Sequence, residues 1–591
     1  DAPGPGPQRR AKGAAKAQPW SGAAKAVYLE QMCLLRAIPP GLTCVAGGCT
    51  LCGTLRSSRE VRVAEAAPIA TVPAAVSEKR YRRRVFAWSW YDWANHAYVT
   101  TTASTFFPPY FIAIAAPAFL AAGKAAGDPT AAAASRDAAS NAFAFTISLA
   151  LFAAALLAPL IGTCADITGR RKRILLLVTA AGGVLASMMF TLTTGRWVLG
   201  LVLYFLTQVC VNIALGLNSS LLPHVARPDD LDRASSLGYA MGYVGGGLLL
   251  AFNAALYLFS GRLGLPPGLA PRIAFLTVGL WWIAFTAPLL FAVPEPPATP
   301  LAGGSGNALR DSVVRLRRTL RDLRRYRELF TMLVAYWFYM EGVGAIILLA
   351  TAYGAALGLD TGLLIGMLLL TQFVAFPYAL IFGRIPDASH RWRGTYVAMV
   401  LWTGATLPLL GWYTHSRPGL GLPRAFALIG ADQALGTLFA MTLGRRLFAP
   451  LAARLDAKRV VIMGLIIYTV VPLWGYVLHT PAEFFMLGWM VGAVQGGTQA
   501  LSRSIYAELS PRAKSGEFFG IYGLFEKFSG ILGPLLYGLV GELTGDPRDS
   551  VVSIAVFFVA GIWVLSRVDV PRGSRAAQEE ETRTEAALAA D

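Results

Sequence analysis

Charge is scarce in this chain. Asp, Glu, Lys and Arg together make up 15% of its 591 residues while 55% are hydrophobic, a balance that excludes an ordinary water-soluble domain, in which about a quarter of residues are charged. Histidine is scarcer still: His96, His224, His390, His415 and His479 are scattered, and no His-Glu-x-x-His or nucleophile-elbow pattern occurs, which argues against a membrane enzyme. A phosphate-cradling Gly-x4-Gly-Lys-Ser/Thr loop is absent, which argues against an ATP-driven pump. Of the six cysteines, Cys33, Cys44, Cys49 and Cys52 fall in the first 60 residues. Their Cys-x4-Cys-x2-Cys spacing has no fourth ligand and no nearby histidine, so neither a metal nor a cofactor is expected. Acids are the scarcer sign, 34 against 52 bases, for a net charge of +18. The bases sit at the edges of apolar runs instead of on one domain, so anionic lipid headgroups are the expected counter-charge and nucleic acid is not an expected partner.

What the chain has in abundance is long hydrophobic runs. Between Val85 and Val568 they follow one another at about 20 residues each, the length that crosses a bilayer as a helix. Fourteen such spans can be counted. The odd-numbered connections hold eight Lys and Arg and the even-numbered connections and ends hold 33. The positive-inside rule then places both termini in the cytoplasm of a multi-pass protein in the cell membrane. The expected fold class is an all-α polytopic membrane protein. Residues 1–78 read as a low-complexity tail without a fold, and 569–591 as a second cytoplasmic tail.

The spans fall into two halves, 79–293 and 329–568. Gly238-x3-Gly242-x2-Gly245 opens the fifth span and Gly516-x3-Gly520-x2-Gly523 the second-to-last, and small residues at this spacing let helix backbones approach closely. Trp88-x3-Asp92 in the first span is echoed by Trp337-x3-Glu341 in the seventh. Between the halves lies a linker, 294–328, rich in proline at its start. It continues as an amphipathic helix with Leu309, Val313, Leu316, Leu320 and Leu323 on one face, expected either to lie along the headgroups or to dock on the bundle. Eight spans follow this seam where symmetry asks for six. Residues 384–444 read as an inserted hairpin, because Phe382-Gly383-Arg384 before it matches Leu443-Gly444-Arg445 at its end.

After the second span comes Gly162-Thr-Cys-Ala-Asp166-Ile-Thr-Gly169-Arg170-Arg171-Lys172-Arg173, a tight basic turn with glycines for close approach and an aspartate able to meet helix N-termini and arginine. This frame resembles the loop between helices two and three of the major facilitator superfamily, with Ile167 where a basic residue is common. The resemblance implies a fold of two six-helix bundles, here with the extra hairpin. It also implies a latch that sets the balance between outward-open and inward-open states, a role carried to Gly162, Asp166, Gly169, Arg171 and Lys172. Its second-half counterpart is either Gly383-Arg-Ile-Pro-Asp387 or Ala453-Arg454-Leu-Asp456-Ala-Lys458-Arg459.

Further motifs are Trp90-Tyr91-Asp92-Trp93-Ala94-Asn95, Phe107-Pro108-Pro109-Tyr110-Phe111 and Gln495-Gly-Gly-Thr-Gln499-Ala-Leu-Ser-Arg503, with Gly516-Glu-Phe-Phe-Gly520 and Gly530-Ile-Leu-Gly533-Pro534. Together they resemble the vacuole-effluxer branch of that superfamily, whose fungal members are autophagy-related amino-acid exporters. His96 stands where a small residue is expected.

Ionisable groups inside spans normally face a wet cavity or a partner. Asp92, Asn95 and His96 share a helix face. Asp92 is read either as a proton-coupling carboxylate with His96 as partner or relay, or as an anchor to Arg82–Arg84. Glu341, deeper in its span, is the second coupling candidate. Gln208 with Asn212, and Gln495 with Gln499, each repeat at i+4 and either bind a zwitterion or join helices. The expected activity is secondary transport of a small molecule by alternating access, possible proton-coupled efflux of amino acids included, by a monomer whose other partners are protons and membrane lipids. A membrane enzyme and a lipid flippase or scramblase are the alternatives.

Overall fold

The computed structural model describes residues 77–122, 129–301, 304–321, 323–356, 361–417, 421–530 and 532–590. The expected tail 1–78, with its four cysteines, lies outside the described residues as far as position 76, and Glu78 already opens a helix. Backbone groups in hydrocarbon must be satisfied within their own segment, and among the described residues every regular element is a helix.

The first rod is α1 (Glu78–Ala97), a π-helical stretch (Tyr98–Phe106) and α2 (Phe107–Ala122). Pro108 and Pro109 have no N–H to give, so the α-ladder loses bonds one turn earlier. Two side chains of the π-helical stretch add bonds of their own: Ser104 donates to the Val99 carbonyl at 2.9 Å and Thr105 to the Thr100 carbonyl at 2.7 Å. Next come α3 (Pro129–Thr168), α4 (Arg171–Met188), α5 (Trp197–Val225), α6 (Leu231–Leu258), α7 (Leu269–Phe285) and the short α8 (Ala287–Ala292). The seam helix is α9 (Ala308–Arg321). Beyond it are α10 (Arg327–Ala356), α11 (Thr361–Phe382), α12 (Arg393–His415) and α13 (Leu422–Phe439), then a π turn at Ala440–Gly444 and the short α14 (Arg445–Leu447) and α15 (Ala449–Ala453). The chain closes with α16 (Ala457–Tyr476), α17 (Pro481–Leu509), α18 (Ser515–Phe528), α19 (Leu532–Thr544), α20 (Pro547–Ser553), α21 (Ala555–Ser566) and α22 (Val570–Ala590).

Several helix starts are written into the sequence. Thr480 and Glu483 form a reciprocal capping box ahead of Pro481 at the start of α17, and Asp456 caps α16 by accepting the Arg459 amide at 2.8 Å, each satisfying amides that the helix itself cannot.

Twelve helical stretches among the described residues are long and apolar enough to cross a membrane, against the fourteen spans read from sequence. The two outside that set are α17, in which Gln495, Gln499 and the glycines between them dilute the apolar run, and the α18–α19 segment, which is broken near Gly530. α12 and α13, read as the inserted hairpin, are held together by a polar seam that explains Asp432 and Gln433. Thr406 donates to the Asp432 carboxylate at 3.0 Å, and Thr403 and Tyr378 donate to the Gln433 amide oxygen at 2.9 and 3.1 Å.

Three expectations change. Arg503, counted from sequence among the loop charges, is buried inside α17, because nothing stops that helix before Ser510-Pro511. The seam helix α9 docks by its polar side: Asp311, Ser312, Arg315 and Thr319 are buried, whereas Leu309 and Val313 of the apolar stripe are exposed. The segment 569–591, expected as a tail without structure, is the helix α22, tied down where the Asp569 amide donates to Glu328 at 2.9 Å and Lys514 pairs with Glu580 at 2.6 Å.

Candidate functional site

Along α1, Asp92 lies one turn beyond Trp88, and Asn95 and His96 lie one turn beyond Asp92; α6 packs against them through its glycines. A Cβ on Gly238 would come within 2.3 Å of the Asp92 carboxylate, one on Gly242 within 2.3 Å of the His96 ring, and one on Gly245 within 2.5 Å of the Trp93 carbonyl oxygen. The glycine frame therefore makes room for functional side chains as well as for backbone contact.

Asp92 is buried and pairs across the protein with Arg503 of α17 at 3.1 Å. Neither Arg82–Arg84 nor His96 is its ion partner. Asn218 of α5 donates to the other carboxylate oxygen at 3.1 Å. Arg503 in turn donates to the Ser235 hydroxyl and carbonyl, both at 2.9 Å. Its guanidinium also lies over the rings of Trp88 at 4.9 Å and Tyr239 at 4.4 Å. A buried ion pair is tolerated only when its remaining donors and acceptors are satisfied in this way. His96 places Nδ1 3.0 Å from the Asp92 carbonyl oxygen, which puts the ring proton on that nitrogen and leaves Nε2 as the acceptor.

Asp92, His96, Tyr239 and Arg503 form the floor of a cavity of about 600 Å³. It is bordered by Asp92, Asn95, His96, Asn212, Gln495 and Gln499, all of which the sequence had singled out, and by Arg503 and Glu526. Tyr239, Tyr243, Tyr336 and Tyr522 add hydroxyl-bearing walls, and the Tyr243 hydroxyl donates to Gln499 at 3.1 Å. Among the described residues, neither polar atom of the fully buried Asn95 amide has a hydrogen-bond partner. Gln208 and Glu341 lie outside the cavity lining. Gln208 meets Asn212 through its backbone carbonyl at 2.6 Å. Glu341 is buried and accepts the Gly533 amide at 2.8 Å, joining α10 to α19.

The residues read from sequence as a latch assemble a second centre at the end of α3. Asp166 accepts the amides of Gly516 and Glu517, both at 3.0 Å, and so caps α18 from another helix, where the positive end of that helix dipole favours an anion. Arg171 donates to the same carboxylate and contacts His224, which lies 3.1 Å from the Ser515 hydroxyl. Arg315 of the seam helix joins in, 3.1 Å from Glu517 and 3.8 Å from Asp166, while also donating to the Thr299 carbonyl at 2.9 Å. Gly162 gives α3 its close approach to Gly516, and Gly169 has φ 61° with the Ala298 backbone against it. Lys172 turns to the end of α8, donating to the Val293 carbonyl at 2.9 Å.

The cavity borders α3 at Phe143 and Ile147. Asp166 is 19 residues beyond Ile147, about 28 Å along a helix. The cavity thus reaches toward the face opposite the latch. Sequence reasoning missed Arg503, Arg315 and Glu517; Arg503 could have been found from the unbroken helical run up to Ser510-Pro511.

With this geometry in view, comparison with known proteins is informative. The family model described as "Vacuole effluxer Atg22 like" matches residues 80–423 and 428–578. The protein named "Uncharacterized MFS-type transporter YxiO" of Bacillus subtilis (strain 168) is 27% identical over 511 residues, covering 85% of this chain and 98% of its own. "Autophagy-related protein 22-1" of Penicillium rubens is 24% identical over 362 residues, 58% of this chain and 50% of its own, so the chain spans about half the length of that fungal relative. Among solved structures, the major-facilitator proton:xylose symporter XylE bound to 6-bromo-6-deoxy-D-glucose aligns with a TM-score of 0.54 at 13% identity, over 84% of this chain and 97% of that one. That likeness establishes the fold.

Proposed function

The chain belongs to the vacuole effluxer Atg22-like family, which makes it a secondary transporter of major-facilitator fold, and from that premise we propose that its cargo is a zwitterionic amino acid exported from the cytoplasm in exchange with protons. The observation that carries this reading is the floor of the cavity, where a buried carboxylate and a buried guanidinium stand beside an amide, that of Asn95, with no partner among the described residues. A zwitterion presents the complementary set: its carboxylate toward Arg503, its ammonium toward Asp92 and Glu526, its remaining hydrogen bonds to Asn95, Gln495 and Gln499.

Alternation follows from where the partners come from. Asp92 belongs to the first half and Arg503 to the second, so a rocking motion that opens the latch face parts the pair. A carboxylate left without its guanidinium is neutralised most readily by a proton, which makes Asp92 the coupling site. His96, with Nε2 as acceptor, is the relay to the cavity. Asp166 and the α18 N-terminus act as the latch that holds the basic, cytoplasmic face shut.

Counterflow in proteoliposomes tests this, using labelled amino acids, sugars and nucleosides at pH 6 and pH 8 with wild type and Asp92→Asn. Exchange of zwitterions that is pH-dependent in the wild type and pH-independent in the variant is the expected outcome. Exchange restricted to sugars or nucleosides overturns the cargo, and an unchanged variant overturns the coupling site.

A further inference from the structure

A second cavity, of about 940 Å³, lies between the start of α12 and the short helices α14 and α15. His390, Arg391, Arg393, Arg445 and Arg446 line it, and no carboxylate does. Among the described residues, none of these four arginines is ion-paired. Arg393 is used internally, donating to the Ile385 carbonyl at 2.5 Å and the Leu455 carbonyl at 2.8 Å. Arg391 and Arg445 lie over Trp392 at 5.4 and 4.6 Å. Gly394 brings the first turn of the 23-residue α12 to the cavity wall, adding the positive end of its dipole. Concentrating like charges this way is unfavourable unless something anionic shares the site. Burial, with Arg384 and then Arg391 adding to it against Asp387, lowers the pKa of His390 below the usual value.

The cavity also has an oily flank. Met441 and Leu443 line it, and with Leu447 they are 53%, 62% and 60% exposed. An inorganic anion has no use for such a flank, whereas acyl chains do. We propose that this cavity binds an anionic phospholipid, its phosphate held by Arg391, Arg445 and Arg446 and its chains running along Met441, Leu443 and Leu447. The site joins the two segments either of which matches the latch in the second half, since Arg393 bridges Ile385 of one and Leu455 of the other. Lipid in the cavity therefore ties the start of α12 to the short helices α14 and α15.

Native mass spectrometry of the full chain in detergent tests the site. The probes are palmitoyl-oleoyl phosphatidylglycerol, the matching phosphatidylcholine, and sodium phosphate as competitor. Phosphatidylglycerol should be retained in preference to phosphatidylcholine. The Arg391→Gln/Arg446→Gln variant should bind it roughly 25-fold more weakly, about fivefold for each arginine near a lipid phosphate. Arg317→Gln/Arg318→Gln on α9 should leave binding unchanged. Equal retention of phosphatidylcholine, or an unaltered Arg391/Arg446 variant, overturns the proposal. Displacement of the lipid by millimolar phosphate also overturns it, in favour of a soluble anion. Should the variant not stay monodisperse, a diazirine-bearing phosphatidylglycerol on the wild type decides: crosslinks within 391–394 or 441–453 support the site, and crosslinks only elsewhere refute it.

Discussion

A single carbon added to Gly162 would lie 2.1 Å from the carbonyl oxygen of Gly516, so α3 and α18 meet backbone to backbone. A related close approach occurs just past α11, where a Cβ on Gly383 would meet the Ser236 hydroxyl at 2.3 Å and the Asp232 carbonyl at 3.0 Å on α6. Gly162→Ala must push α18 away, weakening the closed latch by roughly 1–3 kcal/mol. A cysteine introduced at Ser219, on the cavity wall, should then be alkylated faster by a reagent added from the latch face. An unchanged rate would show that this contact does not set the latch.

Removing either partner of the Asp92–Arg503 pair leaves a buried charge uncompensated, which destabilises by about 3–5 kcal/mol. Asp92→Asn and Arg503→Gln should each lower the thermal midpoint of the purified protein markedly, and the double variant should be more stable than the sum of the two losses predicts. Strict additivity would mean that the two groups do not act as a pair.

Arg315 is the bond between the seam helix and the latch. Arg315→Gln strips it of its ionic contacts with Glu517 and Asp166. Hydrogen exchange of residues 308–321 should rise by at least tenfold while that of α4–α7 stays as in wild type. Equal protection would show that α9 docks without this arginine.

The C-terminal helix α22 carries a pH dependence. Burial, offset in part by Arg512, raises the Glu581 carboxyl above its usual 4.5. The docked helix thus prefers the protonated acid. Docking is strongest below the ordinary value, weakens as pH rises through the raised one, and levels off above it. A dye at Thr582→Cys should lose anisotropy over that rise, and Glu581→Gln should reduce the dependence to the part that Glu508, held by burial at about 7 and bonded to Ser574 of the same helix, contributes.

The sequence carried the membrane-spanning class and most of the cavity lining, for one physical reason: polar residues in apolar runs are rare enough for each to be informative. Asp92, Asn95, His96, Asn212, Gln495 and Gln499 converge as their placement suggested. It could not reveal which cation answers Asp92, because a pairing over 411 positions is a tertiary fact. Glu341 reads like Asp92 along the chain, yet it meets the Gly533 amide outside the cavity. The amphipathic α9 pointed toward lipid or bundle by its apolar stripe, while the buried side is set by Arg315 and its partners.

The carbonyls of Ile385 and Leu455, seventy positions apart, are both within reach of one guanidinium, that of Arg393. The entry and exit of the α12–α13 excursion thus nearly coincide, as in a loop closed at its neck. One guanidinium thus fastens the stretch that leads into α12 to the stretch that leads into α16.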